Sequence, residues 1–163
     1  MLHFAVVAFL DEVALGDELP LDDLPPHVVL LDRAMTEADL GQVTAEVELA
    51  YASHGPFEAT GGDDDELGED ARPATLLDDD GLLTRAHRTL VMGLRELGVR
   101  VADPTLAGLG YLPHVPVPES YDRVDRGERL ELRSIAVLEL VPAVGGRASE
   151  LVTARVAEQF PLI

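Results

Sequence analysis

One short pattern occurs twice in this chain. Pro26-His27-Val28-Val29-Leu30 and Pro113-His114-Val115-Pro116-Val117 both read Pro-His-Val-x-aliphatic, 87 residues apart. Proline forces an extended approach and the β-branched residues favour a strand. Each copy therefore reads as a short strand carrying one histidine, and each half of the chain also holds one helical pattern. A repeat of this kind calls for two pseudo-symmetric lobes that bring the imidazoles face to face across a cleft. The 163 residues fit a single bilobed domain spanning 1–163.

The remaining elements fall around that repeat. Leu2 to Leu10 is apolar and partly β-branched and predicts a first strand, followed by an acidic loop and the strand His27 to Leu31. Thr36 is the expected N-cap of a helix reaching about Ala52, with Leu40, Val43, Val47 and Tyr51 on one face. Phe57 to Thr60 predicts a strand, and the acidic stretch Gly61 to Asp70 a solvated loop. Ala74 to Leu77 is a further strand, and Asp78-Asp79-Asp80 caps a helix from about Gly81 to Leu97 that ends at Gly98. Leu109 to Val117 is extended but broken by prolines. Arg129 to Val141 predicts one long strand, Gly145-Gly146 a turn, and Leu151 to Phe160 a last alternating strand. The order ββαββαβββ predicts an α+β fold, antiparallel sheets with two main helices outside.

Composition narrows the chemistry. There is no cysteine, which excludes disulfides, thiolate metal sites and a cysteine nucleophile. The net charge of −19 opposes binding to a long nucleic acid, because that relies on Lys and Arg neutralising phosphates. All twelve basic residues are Arg, and the Ala, Gly, Val, Leu, Asp and Arg bias suggests a high-GC bacterium or its phage. The longest apolar run, Phe4 to Leu10, is far below the roughly 20 residues that span a bilayer. No basic flank precedes it, so it does not read as a signal peptide. The expected location is the cytoplasm, or the virion for a phage-encoded protein, with no membrane partner. A calcium site in the Gly61 to Asp70 stretch is disfavoured, since the ligand alternation and closing Glu of an EF-hand are out of register.

With its two His-bearing strands, the helix after the first, the strand at Phe57, and the ending Gln159-Phe160-Pro161-Leu162, the chain resembles the 2H phosphoesterase superfamily. That superfamily includes 2′-5′ RNA ligase-like proteins and cyclic phosphodiesterases. Its members carry two His-x-Thr/Ser-aliphatic motifs, one per lobe. The resemblance implies that His27 and His114 are the catalytic pair, one a general base and the other a general acid, with no metal and no other cofactor. It implies hydrolysis of a cyclic or 2′-5′ phosphodiester in a small nucleotide or an RNA end. In a strand, residues i and i+2 share a face about 6–7 Å apart, so the motif hydroxyl would stand beside its histidine and hold the phosphate.

Both hydroxyls are missing here: Val29 and Pro116 occupy their positions. Arg123 and Tyr121, just downstream of His114, are the candidate substitutes for substrate binding. Arg123 belongs with Arg126, Arg129 and Arg133, which also balance Glu119, Asp122, Asp125, Glu128 and Glu131 on a solvated hairpin. A second reading therefore stays open, a catalytically inactive member of the same fold. It would act as a binding or structural module with a protein partner, in a phage particle or another assembly. His87-Arg88-Thr89-Leu90 matches the family motif literally, yet lies in a helical pattern where i and i+2 diverge. His87, His3 and His54 are read as structural. A zinc site built on His27, His114 and a carboxylate has no supporting motif.

Overall fold

Residues 1–145 and 150–163 are described by a computed structural model. The apolar run at the start forms β1 (Leu2–Phe9), buried on both faces from Phe4 onward. Glu18–Pro20 forms a short β2, and β3 runs over His27–Thr36, five residues beyond its expected end. Helix α1 covers Leu40–Tyr51. Its N-cap is Asp39 rather than Thr36, because Asp39 and Gln42 form a reciprocal capping box that satisfies two end N–H groups. Thr36 is buried and instead donates to the Leu97 carbonyl at 2.7 Å, tying the end of β3 to the chain just after the second helix.

The acidic stretch predicted as a loop is a strand. β4 spans Phe57–Leu67 and pairs with β5 (Arg72–Asp78) in a hairpin, with partners from Thr60↔Asp78 to Leu67↔Arg72. Its carboxylates point into solvent while the backbone keeps the ladder, so charge density misled where backbone pairing decided. Helix α2 covers Leu82–Arg95. Asp79 and Asp80 accept from the N–H groups of Leu83 and Leu82, as expected of the Asp run.

Arg100–Val101 forms β6, and only His114–Pro116 of the predicted 109–117 stretch is a strand, β7. The predicted long strand 129–141 is two, β8 (Arg129–Leu132) and β9 (Ser134–Pro142), parted at Arg133. β8 pairs with β4, whereas β9 pairs with β1 and with β10 (Leu151–Pro161), so the chain changes sheets there. Gly146 of the expected turn lies outside the described residues.

Two antiparallel sheets result, a six-stranded one in the order β2-β10-β9-β1-β3-β6 and a four-stranded one in the order β7-β5-β4-β8. Val6, Ala8, Val28 and Leu30 from one face of the larger sheet pack with Val43, Val47, Leu83 and Leu90 of the helices. The same core continues into Leu77, Leu130 and Leu132 of the smaller sheet. The opposite face of the larger sheet carries a second cluster with Ala5, Val7 and Leu138. No helix among the described residues is long and apolar enough to cross a membrane.

One close approach fixes the segment between β7 and β8. The Gly61 N–H donates to the Glu128 carbonyl and the Gly127 N–H to the Gly61 carbonyl, both at 2.8 Å. A Cβ at Gly61 would fall on the Asp125 carbonyl oxygen. Gly61→Ala is expected to lower the unfolding free energy by about 1–3 kcal/mol, the usual range for overpacking. Urea denaturation followed by far-UV circular dichroism measures it.

Candidate active site

The repeated Pro-His pair has a local structural reason. His27 donates from Nδ1 to the Pro25 carbonyl at 2.8 Å, and His114 from Nδ1 to the Leu112 carbonyl at 2.7 Å. Each ring thus folds back across its preceding proline onto the carbonyl two residues earlier. Proline fixes its own φ and offers no N–H, so it holds that carbonyl at a set distance without competing for it. A carbonyl only accepts, so each neutral ring carries its proton on Nδ1 and leaves the Nε2 lone pair free. Phe9, the register partner of His27, packs against its ring with centroids 5.9 Å apart.

β3 and β7 lie against each other, which brings the two histidines together from different sheets. Burial holds the His27 imidazole below its usual pKa, and neighbouring His114 lowers it further. The hydrogen bond to Pro25 and the Asp32 carboxylate oppose those effects. His114, only 6 % exposed, is likewise lowered by burial, with its Leu112 bond and Asp32 opposing. The Asp32 carboxylate therefore favours the charged form of both rings.

A cleft of about 630 Å³ opens beside His27, and the buried His114 is not among the residues that line it. His27, Val29 and Pro116 line it, so both positions that would carry the motif hydroxyls face this space and present only carbon. Ala5, Val7, Leu31 and Leu138 extend that apolar floor, and Asp32, Arg33 and Arg72 bring charge. Strict alternation along β3 would send Asp32 to the face opposite His27. Two register shifts in the pairing with β1, which set ten residues of β3 against eight of β1, re-aim the strand instead.

The candidates downstream of His114 lie elsewhere. Arg123 pairs with Asp64 and reaches the Thr75 hydroxyl at 3.2 Å, and Arg126 pairs with Asp63 at 2.7 Å. Neither lines the cleft, and nor does Tyr121, which is 43 % exposed. Asp32, Arg33 and Arg72 were not singled out by sequence reasoning. Arg33 had a usable signal, an even spacing from His27 on the same strand; Asp32 had none without the bulges.

His87 is fully buried and both ring nitrogens are engaged. Nδ1 donates to the Leu30 carbonyl at 2.6 Å, Nε2 accepts from the Gly108 N–H at 2.9 Å, and the ring stacks on Tyr111 with centroids 3.9 Å apart. Tyr111 in turn donates to the Val29 carbonyl at 2.8 Å. The literal motif is a structural pin behind β3.

No family model matches the chain, and no curated protein matches it. Solved structures do. TT0787 of Thermus thermophilus is 17 % identical with a TM-score of 0.61, covering 98 % of this chain and 97 % of that one. A phosphoesterase is 12 % identical with a TM-score of 0.59, covering 99 % and 98 %. LigT of E. coli, complexed with 3′-AMP, is 13 % identical with a TM-score of 0.59, covering 99 % and 98 %. The fold is that of the 2H phosphoesterases. The expected α+β architecture, antiparallel sheets with two helices, is the one observed, and these structures share it over nearly the whole length of this chain.

Two predictions concern these rings. Asp32 favours the imidazolium of both, so Asp32→Asn is expected to move their titrations to lower pH, read from the ring Hε1 shifts by NMR. His27, His87 and His114 are each lowered from 6.5, chiefly by burial. The unfolded chain binds those protons first, so their contribution to stability is present above pH 6.5 and lost as pH falls below it toward the folded values. Urea midpoints are expected to drop between about pH 7 and pH 5, less steeply in His87→Gln.

Proposed function

We propose that this protein is a two-histidine phosphodiesterase that hydrolyses a cyclic or 2′-5′ phosphodiester in a small nucleotide or RNA end. The observation that carries the reading is the matched pair of Nδ1–H···O=C locks. They leave both Nε2 atoms without a hydrogen-bond partner among the described residues, that of His27 on the wall of an open cleft and that of His114 buried on the neighbouring sheet. The solved LigT complexes with 3′-AMP, NADP+ and ATP support a nucleotide in a cleft of this fold. The acidity of the chain favours a small substrate over a long RNA.

The reaction needs one ring neutral and the other protonated. The neutral Nε2 takes a proton from water as its oxygen attacks phosphorus. The P–O bond to the leaving group breaks, and the Nε2–H of the imidazolium protonates the departing oxygen. Water and phosphodiester become a phosphomonoester and an alcohol, and the two rings exchange roles. Because both histidines are held below 6.5, the singly protonated pair is most populated on the acid side of neutrality. The lost hydroxyls predict a modest rate, since one such donor contributes on the order of 10²–10³.

The aliphatic Val29 and Pro116 favour a second reading, a silent member of the fold that binds without turnover. Hydrolysis of 2′,3′-cyclic nucleotides and 2′-5′ dinucleotides, assayed with a chelator present, separates the two. The expected result is a bell-shaped kcat/KM profile centred below pH 6.5, with His27→Ala and His114→Ala each losing about 10²-fold or more. Turnover that is absent, or unaffected by either substitution, overturns the catalytic reading and leaves the binding one.

A further inference from the structure

We propose that Arg33 and Arg72 form the anion clamp of the cleft in place of the missing hydroxyls, and that they hold a phosphodiester bearing a single negative charge on an apolar or aromatic body. The inference deepens the reading above and rests on it for the reaction, though not for the binding.

The two guanidiniums come from different sheets. Arg33 lies on β3, six residues beyond His27, and Arg72 opens β5. The Val117 N–H donates to the Pro73 carbonyl at 3.1 Å, and Ala74 pairs with Pro116, so Arg72 sits at the rim beside the second motif. Each sheet thus supplies one arginine to the same space, Arg33 from the strand of His27 and Arg72 from the strand beside that of His114. Arg33 has no ion-pair partner among the described residues. Arg72 has an exposed contact with Asp70 at 3.6 Å, which a better anion can displace. Arg123 and Arg126, by contrast, are committed to Asp64 and Asp63. A guanidinium presents a planar fork that matches two phosphate oxygens, so an arginine can replace a hydroxyl donor from farther away.

The charge count in the cleft selects among phosphates. Asp22, Asp32 and Glu119 line it along with the two arginines. One negative charge can settle between the guanidiniums, whereas each added charge meets carboxylates already in place. The floor of Ala5, Val7, Val29, Leu31 and Leu138 offers no hydrogen bond and rewards an uncharged apolar or stacked surface. A nucleoside cyclic monophosphate has that form; a nucleoside triphosphate does not.

The test is isothermal titration calorimetry at pH 7 with 2′,3′-cyclic AMP and, separately, ATP, on wild type, Arg33→Gln, Arg72→Gln and Arg33→Lys. Arg88→Gln, on an exposed position of α2, is the control, and circular dichroism confirms folding of each. Cyclic AMP is expected to bind more tightly than ATP. Arg33→Gln and Arg72→Gln should each weaken it by about tenfold or more, Arg33→Lys by less, and Arg88→Gln not at all. Binding within twofold of wild type in either Gln variant, tighter binding of ATP, or no binding of cyclic AMP to wild type would overturn the clamp. Arginine-dependent binding without turnover would leave the clamp standing while the catalytic reading fails. Turnover indifferent to both arginines gives the reverse.

Discussion

The site depends on β3 being longer than the strand it pairs with. Ten residues against eight in β1 leave backbone that a regular ladder cannot absorb, and the excess is taken up in two bulges. Leu30 is the surplus residue of one, between the pairs Val7↔Val29 and Val6↔Leu31. The carbonyls of Val29 and Leu30 receive the Tyr111 hydroxyl and His87 Nδ1–H, whose rings stack on each other. A buried carbonyl left without a donor costs about 1–3 kcal/mol, so this pin is what makes the bulge tolerable. The bulges set His27, Asp32 and Arg33 around one cleft from a single strand.

That dependence explains where sequence reasoning succeeded. The His pair, the apolar first strand and the two helices are carried by local signals: proline before histidine, period-2 and period-3.6 patterning, and aspartates before a helix. Such signals survive in isolation because the physics behind them is local. The split at Arg133 coincides with a weak local signal, the polar pair Arg133-Ser134 where the alternation of Arg129 to Leu132 gives way to the wholly apolar Ile135 to Leu138, and it is the competing sheets that divide the chain there. The β4–β5 hairpin was hidden by its own carboxylates, which solvate the side chains but do not prevent backbone pairing.

The residues in the cleft divide along the same line. His27 and His114 were legible because their motif is a side-chain lock onto a carbonyl two residues away. Asp32 was not, since its placement follows from a pairing mismatch with a strand far back in the sequence. His87 shows the converse. A perfect local match to the motif sits on a helix, and its two nitrogens are consumed by Leu30 and Gly108. Motif identity specifies residue types; the backbone period beneath them decides whether they can share a substrate.

Replacing two hydroxyls by valine and proline changes more than the number of donors. A hydroxyl beside each histidine brings water with it, and water both stabilises an imidazolium and competes for the phosphate. Carbon at positions 29 and 116 gives water no hydrogen bond at those two places, and that local drying acts in the same direction as the burial that holds both rings below their usual pKa. The same drying raises the value of any cation that can still reach the anion. In the proposed reading the loss of the hydroxyls, the Asp32 carboxylate and the two arginines are one arrangement: the histidines keep proton transfer, and charge recognition passes to Arg33, farther along the strand of His27, and to Arg72, on the strand paired with that of His114.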